Sequence, residues 1–313
     1  MIKLGIIMDP ISNINPKKDS SFAILLEAQR RKYEIYYMEL NDLFIQKSIA
    51  CARTRILNVK DNPYEWYSFY SEYVIGLHEL NVIFMRKDPP LNQEFLYATY
   101  ILERAENPGT IIINKPQSLR DCNEKIFTTW FPDIIPDTLV TRNKSQILNF
   151  WRKHHDIILK PLDGMGGSSV FRITQHDVNV SVIIENLTAN GQCYCMAQEF
   201  LPSIINGDKR VFIIDGEPIP YCLARKAKCG ETRSNLAAGG IGEVQPLSVI
   251  DMPIIRRIAP ILQQKGLLFV GLDIIGDKLT EINVTSPTGI REIEATSSYS
   301  ITNNLMNMIE NRL

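Results

Sequence analysis

No run of apolar residues in this 313-residue chain approaches the ~20 needed to cross a bilayer, so a membrane-spanning helix is not expected. Lysine plus arginine (34) and aspartate plus glutamate (35) nearly cancel, leaving a formal net charge of −1. That balance removes the electrostatic case for nucleic acid or an anionic membrane as partner. The four histidines (78, 154, 155 and 176) have no ligand spacing, which argues against zinc chemistry and histidine catalysis. The six cysteines (51, 122, 193, 195, 222 and 229) include a CxC but no CxxC, and read as reduced thiols. No GxGxxG follows the first strand and no GxxxxGK[ST] occurs, so the dinucleotide fingerprint and the Walker A loop are both missing. There is no internal repeat and no low-complexity tract. The opening MIKLGIIMDP reads as a buried strand rather than a secretory leader, and a cytoplasmic protein is expected.

What is present is an ordinary globular composition, 45% hydrophobic and 22% charged, sufficient for two or three domains. Strands over 2–8, 34–39, 81–86 and 110–114 alternate with helices after Asp19 and over 92–106, which predicts a parallel sheet with helices on both faces. Residues 42–75 show only short strand-like pieces. A helix is expected from Ser118 through SLRDCNEKIFTTWF, carrying Lys125. From about 137 a small α+β unit is read: helix 143–155 ending at His154-His155, strands 157–161, 169–173 and 194–200, and helix 177–190. Asp215-Gly216 predicts a two-residue hairpin turn within 208–224. A helix over about 249–265, a further hairpin and two short helices close the chain.

The densest chemistry lies in 271–287, GLDIIGDKLTEINVTSP. Glu281 and Asn283 stand two apart on an alternating run and therefore share a face. With Asp273 from the preceding strand they make an oxygen-only set, which suits Mg²⁺ held together with nucleotide phosphates. A plain two-residue turn at Gly276-Asp277 would place Asp273 opposite Thr280 and away from Glu281. A shared site therefore demands a three-residue connection or a bulge. In IILKPLDGMGGSSV, Lys160 precedes Gly164, Gly166 and Gly167, glycines that let backbone N–H groups approach phosphate closely. In the 208–225 hairpin a two-residue turn pairs Arg210 with Tyr221 and puts Arg210 and Arg225 on one face. Two guanidiniums there need an anion between them, either a substrate carboxylate or a neighbouring acid. The segment 226–242, with Arg233, is small, glycine-rich and aperiodic, as lids are.

KPLDGMGG, QEFLP, DKR, ETRSNLAAGG, the 271–294 run and the opening LGIIMDPISNINPKKDSSFAILLEAQRR together resemble the bacterial glutathione synthetases, members of the ATP-grasp superfamily. The resemblance spans essentially the whole chain. It implies an α/β and α+β fold of three parts: an N-terminal α/β domain (1–121), a central lid (122–200) and a C-terminal catalytic domain (201–313). ATP would lie between the last two, within an ATP-grasp region of about 125–310. Lys125 and Lys160 would touch the nucleotide, Gly164, Met165, Gly166, Gly167 and Ser168 would cover its phosphates, and Glu199, Phe200 and Leu201 would line the base. Asp208 would hold the nucleotide side of the cleft. Asp273, Glu281 and Asn283 would bind Mg²⁺, with Mn²⁺ a possible substitute. Arg86, Arg210, Arg225 and the Ser286-Pro287-Thr288 turn would hold γ-glutamylcysteine and glycine, and Arg210, Arg225 and Arg233 would support catalysis. A homotetramer is also implied. One departure stands out: Ile241 follows the paired glycines where the family often has arginine, which puts lid contacts in doubt.

The implied chemistry is phosphorylation of a carboxylate by ATP, followed by attack of an amine, with water kept out. No covalent nucleophile is needed, in keeping with the lack of any Ser-His or Cys-His pairing. Other ATP-grasp ligases, such as a D-alanine ligase or an enzyme adding glutamate to a protein tail, share the acid-x-Asn hairpin. A nucleotide-binding regulator without turnover is the reading from another class.

Overall fold

The computed structural model describes all residues except 107–108, 229, 231–232 and 237–238, so Cys229 and part of the 226–242 segment lie outside the described residues. Strands are grouped in three sheets. The first contains β1 (Lys3–Ile7), β2 (Glu34–Met38), β3 (Leu43–Gln46), β4 (Ile49–Val59), β5 (Tyr67–Gly76), β6 (Val82–Met85) and β7 (Ile111–Ile113). β1 pairs in parallel with β2 and β6, and β6 with β7. This is the expected parallel core, and its near-continuous apolar strands are buried on both faces. Helices α1 (Ser20–Arg30), α2 (Gln93–Glu103) and α3 (Pro116–Asp121) cover it. Asp19 caps α1, its carboxylate accepting from Phe22 N at 2.7 Å.

Two expectations for this half need correction. Residues 42–75 hold a long antiparallel hairpin, β4–β5, whose β5 is largely exposed on both faces and so shows no apolar alternation. The expected helix through Lys125 does not form. α3 stops at Asp121, and Lys125 precedes a separate 3₁₀ turn, Ile126–Trp130. The Asn123 side chain accepts from Lys125 N and Ile126 N, a local bond that competes with helix continuation.

The second sheet is small: β8 (Thr138–Thr141), β9 (Ile157–Pro161), β10 (Phe171–Ile173) and β11 (Cys195–Glu199), in the order β10-β9-β11-β8. α4 (Lys144–His154) and α5 (Val180–Leu187) pack on it, α5 being shorter than the 177–190 expected. α4 ends at His155 in the left-handed conformation. The third sheet runs β14-β13-β12-β15-β16, from β12 (Asp208–Ile214), β13 (Glu217–Lys226), β14 (Ile241–Pro246), β15 (Phe269–Ile275) and β16 (Lys278–Asn283). α6 (Met252–Gln264), α7 (Ile290–Thr296) and α8 (Ile301–Glu310) complete the chain. No described helix is long and apolar enough to cross a membrane.

The first and third sheets share their cores. One cluster joins Met85 and Leu102 to Leu272 and Ile254, and another joins Leu4 and Phe22 to Phe212 and Leu305. Asn114 stitches the seam, donating to Phe269 O and Val284 O at 2.7 Å and accepting from Phe269 N at 2.9 Å. The second sheet has a core of its own around Ile147, Leu159 and Ile184.

Candidate active site

The hairpin β15–β16 is the centre of the site. Asp273 pairs directly with Glu281, and a bulge after Asp273 resets the register so that Ile274 meets Leu279. The bulge alternative is therefore the one adopted, and Asp273, Glu281 and Asn283 share one face. Asn283 Nδ2 donates to Gly271 O (3.1 Å), which leaves its Oδ1 as the end available to a cation.

The β12–β13 register differs from expectation. Arg210 faces Leu223, not Tyr221, and Asp208 faces Arg225. Asp215-Gly216 does form the turn, both residues at positive φ. The register then shifts between Val211 and Ile213 opposite a stretch containing Pro220, which has no N–H to give to the ladder. The shift is by two, so the faces survive: Asp208, Arg210 and Arg225 point the same way, onto Asp273. Arg210 grips Asp273 through Nε (2.6 Å) and Nη2 (3.2 Å), and Arg225 Nη2 reaches Asp273 Oδ2 (2.9 Å) and also bonds Asp208. The anion between the two arginines is thus a protein acid. Gly271 makes this approach possible, because a Cβ there would sit 2.9 Å from Arg210 Cδ and 2.8 Å from Pro287 Cβ.

Burial opposes ionisation of Asp273, but the guanidiniums of Arg210 and Arg225 dominate and hold its carboxyl well below the usual range. Asp208 goes the other way: burial, with Asp273 beside it, pushes it up to about 6 against the pull of Arg225. Among the described residues its Oδ1 has no partner, nor does Arg225 Nε, although both are buried. Ser234 Oγ donates to the other oxygen of Asp208 at 3.3 Å.

Two lysines face this cluster. Lys125 Nζ sits 2.8 Å from Glu281 Oε1 and donates to Gly164 O at 2.6 Å. Burial works against its charge, but the carboxylates of Glu281, Glu124 and Asp163 outweigh it and hold the ammonium above its ordinary value. Among the described residues Lys160, on β9, reaches only the Thr280 carbonyl, at 3.3 Å. Burial, with Lys125 adding repulsion, pushes it down to about 8 despite Glu281. The glycine-rich turn closes over these groups. Gly166 and Gly167 take positive φ, and a Cβ on Gly167 would meet Asn235 Oδ1 at 2.6 Å.

Two adjoining cavities result. The larger brings together Lys125, Lys160, Gly164 to Ser168, Glu199 to Leu201, Asp208, Arg233, Asp273 and Glu281. The second is walled by Asp88, Glu124, Arg210, Arg225, Asn283 and the Ser286-Pro287-Thr288 turn. Met165, Gly166, Asn235 and Glu281 border both. Arg86 lies buried behind the turn, with Nη2 on Pro287 O (3.0 Å) and Nε on Ser21 Oγ (2.9 Å). Every expected site residue therefore lines one of these two cavities or, for Arg86, lies directly behind the second. Ile241 does not lie over the cavities: it opens β14 opposite Lys226 and is 62% exposed. Sequence reasoning missed Glu124, which accepts from Val284 N and from Thr285 N and Oγ1 (2.8–3.0 Å), and also Asp88, Gln198 and Asn235. Only Asn235 carried a signal, as a polar residue inside the glycine-rich loop.

An anionic phosphate chain fits the lysines and backbone N–H groups of the first cavity, and a hard divalent cation fits the oxygen set. Family models agree with this chemistry. Residues 2–120 match the prokaryotic glutathione synthetase N-terminal domain, and 124–298 match the prokaryotic glutathione synthetase ATP-grasp domain. The chain is 66% identical over 313 residues to glutathione synthetases of Shigella flexneri and Escherichia coli K12, and 64% identical to that of Vibrio vulnificus, covering 100% of this chain and 99% of each relative. Among solved structures it resembles the ATP-grasp ligase PsnB bound to a minimal precursor (TM-score 0.66, 16% identity, covering 100% of this chain and 99% of that one). It also resembles the D-cycloserine synthetase DcsG (TM-score 0.67, 14% identity, covering 99% of this chain and 100% of that one). The chain belongs to the prokaryotic glutathione synthetase family and is an ATP-dependent ligase of the ATP-grasp fold.

Proposed function

We propose that this enzyme joins the cysteinyl carboxylate of γ-glutamylcysteine to the amine of glycine, with ATP converted to ADP and phosphate. The observation that carries the reading is the junction of the two cavities at Glu281 and the Gly166 turn. A phosphate chain on one side there meets a carboxylate on the other. The γ-phosphoryl group passes to the carboxylate, giving an acylphosphate. The glycine amine attacks that carbonyl, and phosphate leaves.

Lys125 and Lys160 hold the phosphates, Gly164, Met165, Gly166, Gly167 and Ser168 cover them, and Glu199, Phe200 and Leu201 line the base. Asp208, with one unpartnered oxygen, faces the nucleotide side. Asp273, Glu281 and Asn283 would hold Mg²⁺ or Mn²⁺, which would supply positive charge against the phosphates. Both acids are already ion-paired, Asp273 to Arg210 and Arg225 and Glu281 to Lys125. Lys125, Arg210 and Arg225 border the two cavities and would face anionic substrates there. Arg210, Arg225 and Arg233 then stabilise charge developing at the transferred group. Arg86 and the Ser286-Pro287-Thr288 turn position the peptide substrate. Residues 122–200 act as a lid between the 1–121 and 201–313 domains and exclude water from the acylphosphate. The full-length resemblance supports a homotetramer working in the cytoplasm.

The test is ADP release by purified protein with Mg²⁺, ATP and γ-glutamylcysteine, with and without glycine. Release that needs both substrates and yields glutathione is expected. Tight ATP binding without turnover would sink the reading.

A further inference from the structure

The second cavity has an acid that the reaction above does not use. Asp88 lies in the loop after β6 and lines this cavity together with Arg210 and Arg225. Its carboxylate is fixed by Ser286, whose Oγ donates to Oδ1 at 2.6 Å. The adjacent Lys87 does not neutralise it, since Lys87 Nζ goes to Asp9 Oδ1 (2.9 Å) and to the Asp88 backbone carbonyl (3.0 Å). Among the described residues Asp88 forms no ion pair. Arg86, 4% exposed, lies behind the Pro287 turn, and its Nη1 has no partner among the described residues. This end of the cavity thus presents a carboxylate with no protein cation paired to it among the described residues, the complement of an ammonium group.

We propose that Asp88 is a specificity-determining residue that receives the α-ammonium of the γ-glutamyl group. The assignment rests on the reaction proposed above. Its position selects which ammonium it binds. The attacking amine must lie beside the activated carboxyl, where the two cavities meet at Met165, Gly166, Asn235 and Glu281. Asp88 and Ser286 border only the second cavity, away from that junction. The ammonium held there is therefore the non-reacting one.

N-Glutarylcysteine, which lacks only that amino group, provides the test. Wild-type enzyme is expected to show a KM roughly ten- to a hundredfold lower for γ-glutamylcysteine than for N-glutarylcysteine, the value of one charge-assisted hydrogen bond. Asp88→Asn is expected to raise the KM for γ-glutamylcysteine by that factor. It should leave the KM for N-glutarylcysteine, the KM for glycine and kcat within about twofold. Ser286→Ala, which frees the carboxylate without removing it, should shift the same KM in the same direction by less, and serves as the test if Asp88→Asn does not fold. Equal losses on both donors would overturn the assignment in favour of a structural role, and a raised glycine KM would overturn it in favour of the other amine. A wild-type enzyme that turns over neither donor overturns the ligase reading itself, and the role of Asp88 with it.

Discussion

The small β8–β11 sheet and the rest of the molecule are built on different terms. The small unit closes its own core around Ile147, Leu159 and Ile184, and its charged groups are mostly exposed pairs such as Arg172–Asp156. The larger body has no such separation: its first and third sheets share both clusters, and its site charges are buried and mutually paired. One half of the site is thus rigidly anchored and already neutralised. The other half brings Lys160, a buried cation that among the described residues holds only a carbonyl, on a separately cored unit. A site divided in this way keeps its acids in register while leaving the phosphate-facing side free to adjust.

The largest expected effect tests the anchored half. Asp273→Asn leaves Arg210 and Arg225 buried with Asp208 as their remaining close carboxylate. Breaking such a pair costs about 3–5 kcal/mol, and turnover should fall at least ~10²–10³-fold. Urea unfolding and steady-state rates read both. A loss below about 1 kcal/mol would mean the arginines are not neutralised by this acid. Next, Ile184→Ala should cost the small unit about 2–5 kcal/mol. Hydrogen exchange is expected to show amides of β9 and β11 losing protection while β12 and β15 keep theirs. Uniform loss across the chain would erase the distinction between the two regions.

Lys160→Gln should lower kcat by about 10²–10³ while raising stability at neutral pH, because it removes a charge that burial disfavours. It carries a pH signature as well. The folded lysine sits at about 8, below its unfolded value, so between the two the unfolded chain binds the extra proton. Stability therefore rises with pH through that window, and the variant should lose this part of the slope in urea midpoints taken on either side. The smallest effect belongs to Arg172→Ala, which removes a half-exposed ion pair and a contact 3.6 Å over the Phe200 ring. Less than about 1 kcal/mol is expected, together with a few-fold rise in the KM for ATP.

These same differences set what could be read from the chain. The Asp273–Glu281 register was legible because a shared-face requirement leaves only a bulge or a longer turn, and one of these formed. The Arg210 register was not, because the irregularity opposite Pro220 lies in the middle of the strand, where the turn residues carry no information about it. The β4–β5 hairpin escaped because exposure on both faces leaves no alternation to detect. Lys125 was placed on a helix that Asn123 interrupts by a side-chain bond no periodicity reveals. Asp88 and Glu124 went unnoticed because their meaning comes from Ser286 and Thr285, nearly two hundred positions and more than a hundred and fifty positions away respectively.

The last helix has a consequence for how the chain is made. α8 returns to α1, where Arg31 ties to Asn303, Asn307 and Glu310, and Tyr33 to Glu310. Leu305, Met306 and Ile309 complete the same cluster as Leu4 and Phe22. During synthesis the apolar face of the first strand and helix therefore stays partly uncovered until residues 301–310 have emerged. The β8–β11 unit, enclosed by its own stretch of chain, can fold well before them. The N-terminal segment thus depends on late-made residues for its core, whereas the β8–β11 unit does not.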